Sequence, residues 1–400
     1  MNRKFISTGH LIDSGILSSI LNLIIEEGAD YEIIRFTVGK VNSEESEIEI
    51  ELIAKTAQQL ETLTSKLIQQ GCYEKSAAEA AFIPAVKNRC APEPFYSTTN
   101  HRTEVYINGS WRKVEHQRMD AAIIRTDKVL ECRKIRDIKE DDPVLTNADA
   151  VRIFPPARER QKDSFGFMSG EVSSERATKN AVNRIAEGLK TMKKNGEKVV
   201  VVAGPVVIHT GGAAALAALI DKGYVTGLLA GNALAVHDLE SEFYGTSLGI
   251  DLQSGRPTHE GHKNHMRAIN RIYHHGSIEK AIENGDLKTG LMHTVIKTGI
   301  PYCLAGSIRD DGPLPETEND MIAAQQKYSE IIRDASAVLM LSTMLHSIGT
   351  GNMLPSWVKT VCVDINPAVV TKLADRGSAQ AIGIVSDVGL FLNLLMEKLN

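Results

Sequence analysis

The sequence predicts an α/β protein. A parallel sheet covered on both faces fills its C-terminal half, preceded by a ferredoxin-like α+β domain and a small β-rich domain. Three observations predict this. Residues 198–203 read KVVVVA, a β-branched run suited to a strand buried on both faces. They open the stretch 198–240, one strand–helix–strand unit around which the rest is organised. Strand-like and helical runs alternate from there to the C-terminus, which implies parallel pairing with helices on both faces.

Taken in order, residues 4–12 alternate like a strand, and 15–27 show helical spacing (Ile16, Leu17, Ile20, Leu21, Ile24). Residues 31–38 and 47–53 alternate again as a hairpin. Residues 56–70 are helical and stop at Gly71, and 72–82 form a weaker last strand. This β-α-β-β-α order over residues 1–83 is the ferredoxin-like pattern, read first as a packing or assembly module. Residues 84–102 carry three prolines and little periodicity, and read as a linker. Residues 103–160 hold short strands at 104–107, 121–125 and 128–132, with Asn108-Gly109 as a hairpin turn. Residues 161–400 form the α/β domain. It starts with a small, polar, glycine-bearing segment suited to face a substrate, then a helix over 174–194. Strands follow at 198–203, 224–230, 300–305, 337–342 and 358–364. Helices are expected at 213–222, 276–284, 318–333 and 389–399.

Composition sets the bounds. The 400 residues are 42% hydrophobic and 24% charged, an ordinary globular balance, and the net charge of −5 implies no nucleic-acid partner. No apolar run approaches the roughly 18 residues of a membrane span, and the N-terminus has no signal-peptide core. Five scattered cysteines, none in CxxC spacing, fit reduced thiols in a cytoplasmic protein.

The candidate chemistry lies at strand ends, where open α/β sheets keep their sites. After the first strand come Gly204, Pro205, Val206 and Thr210. A glycine-bearing loop and a helix N-terminus there suit a phosphate. After the second strand come Gly231, Asn232 and Ala233, then His237, Asp238 and Glu240, all expected on a loop. Arg309, Asp310 and Asp311 follow the third, and Ser342, Thr343 and Met344 the fourth. Asp364 closes VCVD, where an acidic residue can hold ribose hydroxyls or cap the next helix. No complete GxGxxG occurs. The run His259-Glu260-Gly261-His262 lacks HExxH spacing, so no metal is assigned. Cys303 sits in an apolar strand and reads as core.

These strand ends resemble the NAD-binding fold shared by deoxyhypusine synthase and the sirtuins, a Rossmann-like sheet. Ser342-Thr343-Met344 resembles the segment under the cofactor phosphates. Asp364-Ile365-Asn366-Pro367 resembles the ribose segment, and Ser386-Asp387-Val388 the adenine side. The whole chain resembles the former lysine-ketoglutarate reductase/saccharopine dehydrogenase conserved-region family, whose members include NAD-dependent ornithine cyclodeaminases. GPVVIHTGG, AGNALAVHDLE and VDINP carry that likeness. The resemblance implies NAD as cofactor, an amino-acid substrate, a homo-oligomer, and conversion of ornithine to proline and ammonia. Such a site needs a base for the α-ammonium, expected at Asp238 with His237 beside it. It needs a carboxylate clamp, expected at Arg309, and acidic groups near the δ-ammonium, with Asp310, Asp311 and Glu171 as candidates. An opine- or saccharopine-type dehydrogenase and an NAD- and amino-acid-binding sensor stand as alternatives.

Overall fold

The computed structural model describes residues 1–400 apart from 13–14, 41–43, 76–77, 128, 156–173, 252–255, 257–260, 311 and 376–380, and apart from the side chains of 174–177, 251, 262 and 373–375. The chain divides into two units, Met1–Gly166 with Asn352–Trp357 and Phe167–Gly351 with Val358–Asn400.

The first unit begins with β1 (Asn2–Gly9), α1 (Ile16–Glu26), β2 (Asp30–Thr37), β3 (Ser46–Ile53), α2 (Ala57–Gln69) and β4 (Cys72–Glu74). The sheet order is β2-β3-β1-β4, antiparallel throughout, which is the ferredoxin-like arrangement. Alternation produces it. Ile48, Ile50 and Leu52 of β3 point inward with Phe5, against Ile20 and Ile24 of α1 and Leu63 and Leu67 of α2. The Thr56 hydroxyl accepts from Gln59 N at 3.1 Å and starts α2.

The β-rich part holds β5 (Phe82–Pro84), β6 (Arg102–Ile107), β7 (Ser110–Glu115), β8 (Ala122–Arg125), β9 (Leu130–Arg133), β10 (Pro143–Leu145) and β11 (Val151–Phe154), in the order β11-β6-β7-β9-β8-β10-β5. Asn108 and Gly109 both take positive φ, 51° and 73°, as a two-residue β6–β7 turn requires. The proline-bearing stretch expected as a linker is laid along this sheet. β5 pairs with β10, Tyr96 N donates to Leu145 O, and Thr98 N donates to Ala121 O. Prolines remove three donors from the stretch, but Ala85, Tyr96 and Thr98 still donate their N–H groups to Asp142, Leu145 and Ala121.

The second unit runs α3 (Ser174–Lys194), β12 (Lys198–Ala203), α4 (Val206–His209), α5 (Ala213–Asp221), β13 (Gly227–Gly231) and α6 (Asn232–Tyr244). A short hairpin of β14 (Thr246–Ser247) and β15 (Ile250–Asp251) follows, then α7 (Asn264–His275), α8 (Ile278–Glu283), α9 (Leu291–Thr298), β16 (Tyr302–Ala305) and β17 (Thr317–Glu318). It closes with α10 (Met321–Ile331), β18 (Ala335–Leu341), α11 (Met344–Gly351), β19 (Lys359–Asp364), α12 (Pro367–Asp375), β20 (Ala381–Val385) and α13 (Val388–Leu399). The large sheet has the order β17-β16-β13-β12-β18-β19-β20 and is parallel at every pairing. Val199, Val200, Val201 and Val202 are buried, as a central strand with both faces covered demands.

Two expectations change here. Residues 232–240 are helix, not loop, because α6 starts directly at the end of β13. Tyr224 and Val225 precede β13 instead of opening it, their N–H groups closing the turn after α5 on Leu219 O.

Candidate active site at the carboxyl edge of the parallel sheet

The chain leaves β12 toward β13, β16 and β17 on one side, and later fills β18, β19 and β20 on the other. The carboxyl ends of β12 and β18 are therefore neighbours whose connections depart in opposite directions. That is the position where an open parallel sheet opens a crevice.

The residues expected around a cofactor fall at the ends of β13, β12, β18 and β19, four successive strands, and ahead of α13. At the crevice two glycines permit close approach. A Cβ on Gly204 would collide with the Ser342 carbonyl, and one on Gly389 with the Thr210 carbonyl. Ser342 itself has φ 47°, and its N–H donates to Val363 O. Pro205, Thr210, Ala233 and Thr343 are half-buried there, and Val206 and Met344 are exposed. Asp364 keeps Oδ1 on Asn366 N at 2.8 Å, and Asn366 caps Ala368 N at 3.0 Å. Asp387 caps α13 through Leu390 N at 2.8 Å, with Val388 buried beneath. Asn232 spends its side-chain oxygen on Leu314 N and Thr317 Oγ1, which ties the segment before β17 to the start of α6.

Helix α6 carries four buried polar side chains, Asn232, His237, Asp238 and Glu240. Glu240 is fully buried and accepts from Thr246 Oγ1 at 2.9 Å, Leu248 N at 3.1 Å and Gly249 N at 3.0 Å. His237 Nδ1 completes the set at 3.2 Å. Burial opposes the Glu240 charge, but His237 and the hydrogen-bond donors outweigh it and hold the carboxyl below its ordinary range. An ionised carboxylate only accepts, so Nδ1 donates a ring proton to it, and in the neutral ring Nε2 is the acceptor. The His237 side chain retains 11% of its surface, enough to be reached, whereas that of Glu240 retains 0%. His209 of α4 stands edge-on to His237 with ring centroids 4.7 Å apart, and its Nδ1 bonds Ser247 Oγ. Burial, then the neighbouring His237, lowers the His209 pKa, with Glu240 opposing. The arrangement is a histidine oriented by a buried anion, the pattern of a general base.

Asp238 departs from its expected setting. It is buried within α6, and its two oxygens accept from Leu291 N at 3.0 Å and Met292 N at 2.7 Å. It therefore caps α9 from a neighbouring helix. Burial pushes its carboxyl up to about 7, against the two backbone donors. Arg309 is exposed in the segment after β16, where Asp310 Oδ2 accepts from Ser307 N at 2.8 Å. Glu171, Asp311, His259 and Glu260 lie outside the described residues. Cys303 is buried and its thiol is pushed up to about 11 by burial, as core placement implies. Among the described residues, no helix is long and apolar enough to cross a membrane.

Two side chains at this edge were not among the expected site residues, His209 and His346, while Glu240 was expected in the polar cluster but not as the partner of His237. The sequence signal available for the histidines is a shared position, one within GPVVIHTGG and one shortly after SerThrMet, each a few residues past a buried strand.

The region described as the Arginine dihydrolase ArgZ-like, C-terminal, Rossmann fold matches residues 183–395. The ArgZ-like C-terminal first region matches 102–182, and the LOR/SDH bifunctional enzyme conserved region matches 3–101. An ornithine cyclodeaminase of Methanocaldococcus jannaschii is 48% identical over 98% of this chain and 94% of its own. This chain belongs to the ArgZ-like ornithine cyclodeaminase family. The apo crystal structure of cyanobacterial ArgZ, an arginine dihydrolase of the ornithine-ammonia cycle, aligns with a TM-score of 0.86 at 41% identity. It covers all of this chain, which spans 58% of ArgZ. AgrE in ternary complex with ornithine and NAD+ aligns at 43% identity with a TM-score of 0.55, again over all of this chain and 57% of AgrE. Within this family, the Rossmann description falls on the parallel sheet that carries the crevice.

Proposed function

We propose that the protein is an NAD-dependent ornithine cyclodeaminase, an ammonia-lyase that converts L-ornithine to L-proline and ammonia. The observation that carries the proposal is the buried Glu240 carboxylate orienting His237 at the carboxyl edge of the crevice-bearing sheet. The family membership supplies the substrate class. The residues fit the cofactor on their own terms: at Gly204 a cradle that any Cβ would fill lies beside the positive-φ turn at Ser342, and Asp364 stands half-exposed at the next strand end. We assign Gly204 to Thr210 and Ser342 to Met344 to the phosphates, Asp364 and Asn366 to a ribose, and Asp387 and Val388 to the adenine side. Gly231 to Ala233 border the reacting end.

When bound, NAD supplies a hydride acceptor for the substrate Cα and later returns the hydride. The chain must do the rest. The α-ammonium must lose its proton first, because a cationic nitrogen has no lone pair with which to expel hydride. His237 Nε2 takes that proton in our reading, and the imidazolium is balanced by Glu240 through Nδ1. Arg309 offers a planar fork to the substrate carboxylate. Glu171 and Asp311 stay candidates for the δ-ammonium. Asp238 gives up the base assignment, since both its oxygens cap α9. The protein is expected to be a cytoplasmic homo-oligomer, which sizing of the purified chain tests.

Incubation with ornithine and NAD should release proline and ammonia in equal amounts, without net NADH. Steady NADH accumulation would support the dehydrogenase reading instead.

A further inference from the structure

His346 lies in the first turn of α11, half-buried. Its Nδ1 is 3.0 Å from the Tyr328 hydroxyl of α10. That hydroxyl is also 2.8 Å from Ala230 O, the last residue but one of β13. A carbonyl oxygen can only accept, so the single tyrosine proton is committed to Ala230. The tyrosine oxygen is left to accept, and Nδ1 must carry the imidazole proton. Burial raises the Tyr328 phenol well above its ordinary range, so the tyrosine keeps the proton it donates to Ala230. The opposite nitrogen, Nε2, is therefore a bare acceptor.

Its position is equally defined. Nε2 lies 2.9 Å from where a Cβ on Gly231 would stand, so it rests against the backbone at the carboxyl end of β13. Asp310 acts on the same ring. Burial lowers the His346 pKa and the Asp310 carboxylate opposes that. A neutral acceptor with an anion in its field suits a cationic N–H donor. A sugar hydroxyl would use the acceptor and leave the anion uncompensated. With His237 assigned to the α-ammonium, the second ammonium of ornithine has only acidic candidates, Glu171 and Asp311, and no neutral acceptor.

We propose that His346 is a specificity-determining residue that contacts substrate. Its Nε2 accepts a hydrogen bond from the side-chain ammonium of a diamino acid, with Asp310 supplying the countercharge. The proposal rests on the cyclodeaminase reading and adds the group that selects a second amine. Tyr328 is its positioning residue, since it fixes which ring nitrogen is bare.

The test is L-ornithine binding by calorimetry to NAD-saturated protein, with proline formation measured in parallel, for wild type, His346→Phe, His346→Gln and Tyr328→Phe. Each variant is first checked for a wild-type melting temperature, and its NAD affinity is measured. His346→Phe should weaken ornithine binding and raise its KM by about 10- to 100-fold, the loss expected for a hydrogen bond to a charged group. His346→Gln, which keeps an acceptor oxygen near the Nε2 position, should recover most of it. Tyr328→Phe should fall between them. Unchanged ornithine affinity in His346→Phe overturns the proposal. Loss of NAD affinity with ornithine binding intact also overturns it, and points to a ribose hydroxyl as the donor. Wild-type protein that binds ornithine but forms no proline defeats the cyclodeaminase reading alone, and the binding arm still decides His346. Wild-type protein that neither binds nor converts ornithine defeats both.

Discussion

Asp238 and Glu240 are two residues apart on one helix, both buried, and their surroundings drive them in opposite directions. On the side of the β14–β15 hairpin, Glu240 gathers a histidine, a threonine and two backbone N–H groups and is held ionised. On the side of α9, Asp238 meets two backbone N–H groups, with the Glu242 charge adding to the effect of burial, and its carboxyl is pushed up to about 7. Donor count and neighbouring charge decide the outcome, since burial opposes ionisation in both. Asp238, the residue expected as the base, spends both oxygens on the backbone N–H groups that open α9. The anion that orients a histidine, Glu240, sits two residues further on.

The strongest way to break this contrast is at the histidine. His237→Gln should lower proline formation by about 10²–10⁴-fold, the usual cost of losing a general base, while NAD affinity stays within a few-fold. Wild-type turnover in that variant would remove His237 from the chemistry. Glu240→Gln sharpens the comparison from the other partner. It keeps the shape but removes the charge that fixes the His237 tautomer, and a loss of roughly 10²-fold is expected, with the pH–rate profile shifted. Steady-state kinetics across pH separates that outcome from simple misfolding, which would reduce active-site concentration without moving the profile.

What was legible beforehand follows from pattern. The N-terminal sheet was readable because Ile48, Ile50 and Leu52 alternate with Glu47, Glu49 and Glu51 along one strand. The Asn108-Gly109 turn was readable because few other pairs tolerate two positive φ angles. The crevice glycines announced themselves for the same reason that a Cβ would not fit at Gly204. Helix α6 was not readable as a helix. It buries Leu234, Ala235, Val236, His237, Asp238, Leu239 and Glu240 in succession, so no polar face marks the helical period. The Glu240 donors could not be foreseen either, because they depend on how the hairpin folds back onto α6. The Tyr328–His346 relay joins residues on separate helices that share no periodic signal.

Asp238 supplies the next prediction. Its folded pKa of about 7 lies above its ordinary value of roughly 3.9, so the folded chain keeps a proton that the unfolded chain releases between those values. The stability tied to this group is therefore full below about pH 4 and declines as pH rises toward 7. Asp238→Asn should flatten that decline in urea melts at pH 4.5 and 7.5. It should cost about 1–3 kcal/mol where an amide N–H now faces the α9 donors. A decline as steep as that of the wild type would contradict the assignment of the raised pKa to this residue.

The smallest effect is expected at the cofactor edge. Asp364→Ala should weaken NAD binding by about 10-fold, the value of one hydrogen bond of ordinary strength, with the melting temperature of the cofactor-free protein unchanged. Unaltered NAD affinity by titration would remove the ribose assignment and leave Asp364 as the cap of the turn at Asn366.

One assay tests the central claim most directly: initial rates of proline formation for His237→Gln and Asp238→Asn, measured side by side at saturating NAD and ornithine and corrected for folded protein. The account predicts that Asp238→Asn stays within a few-fold of wild type while His237→Gln loses at least about 10²-fold. The reverse order, with Asp238→Asn inactive and His237→Gln active, would contradict it.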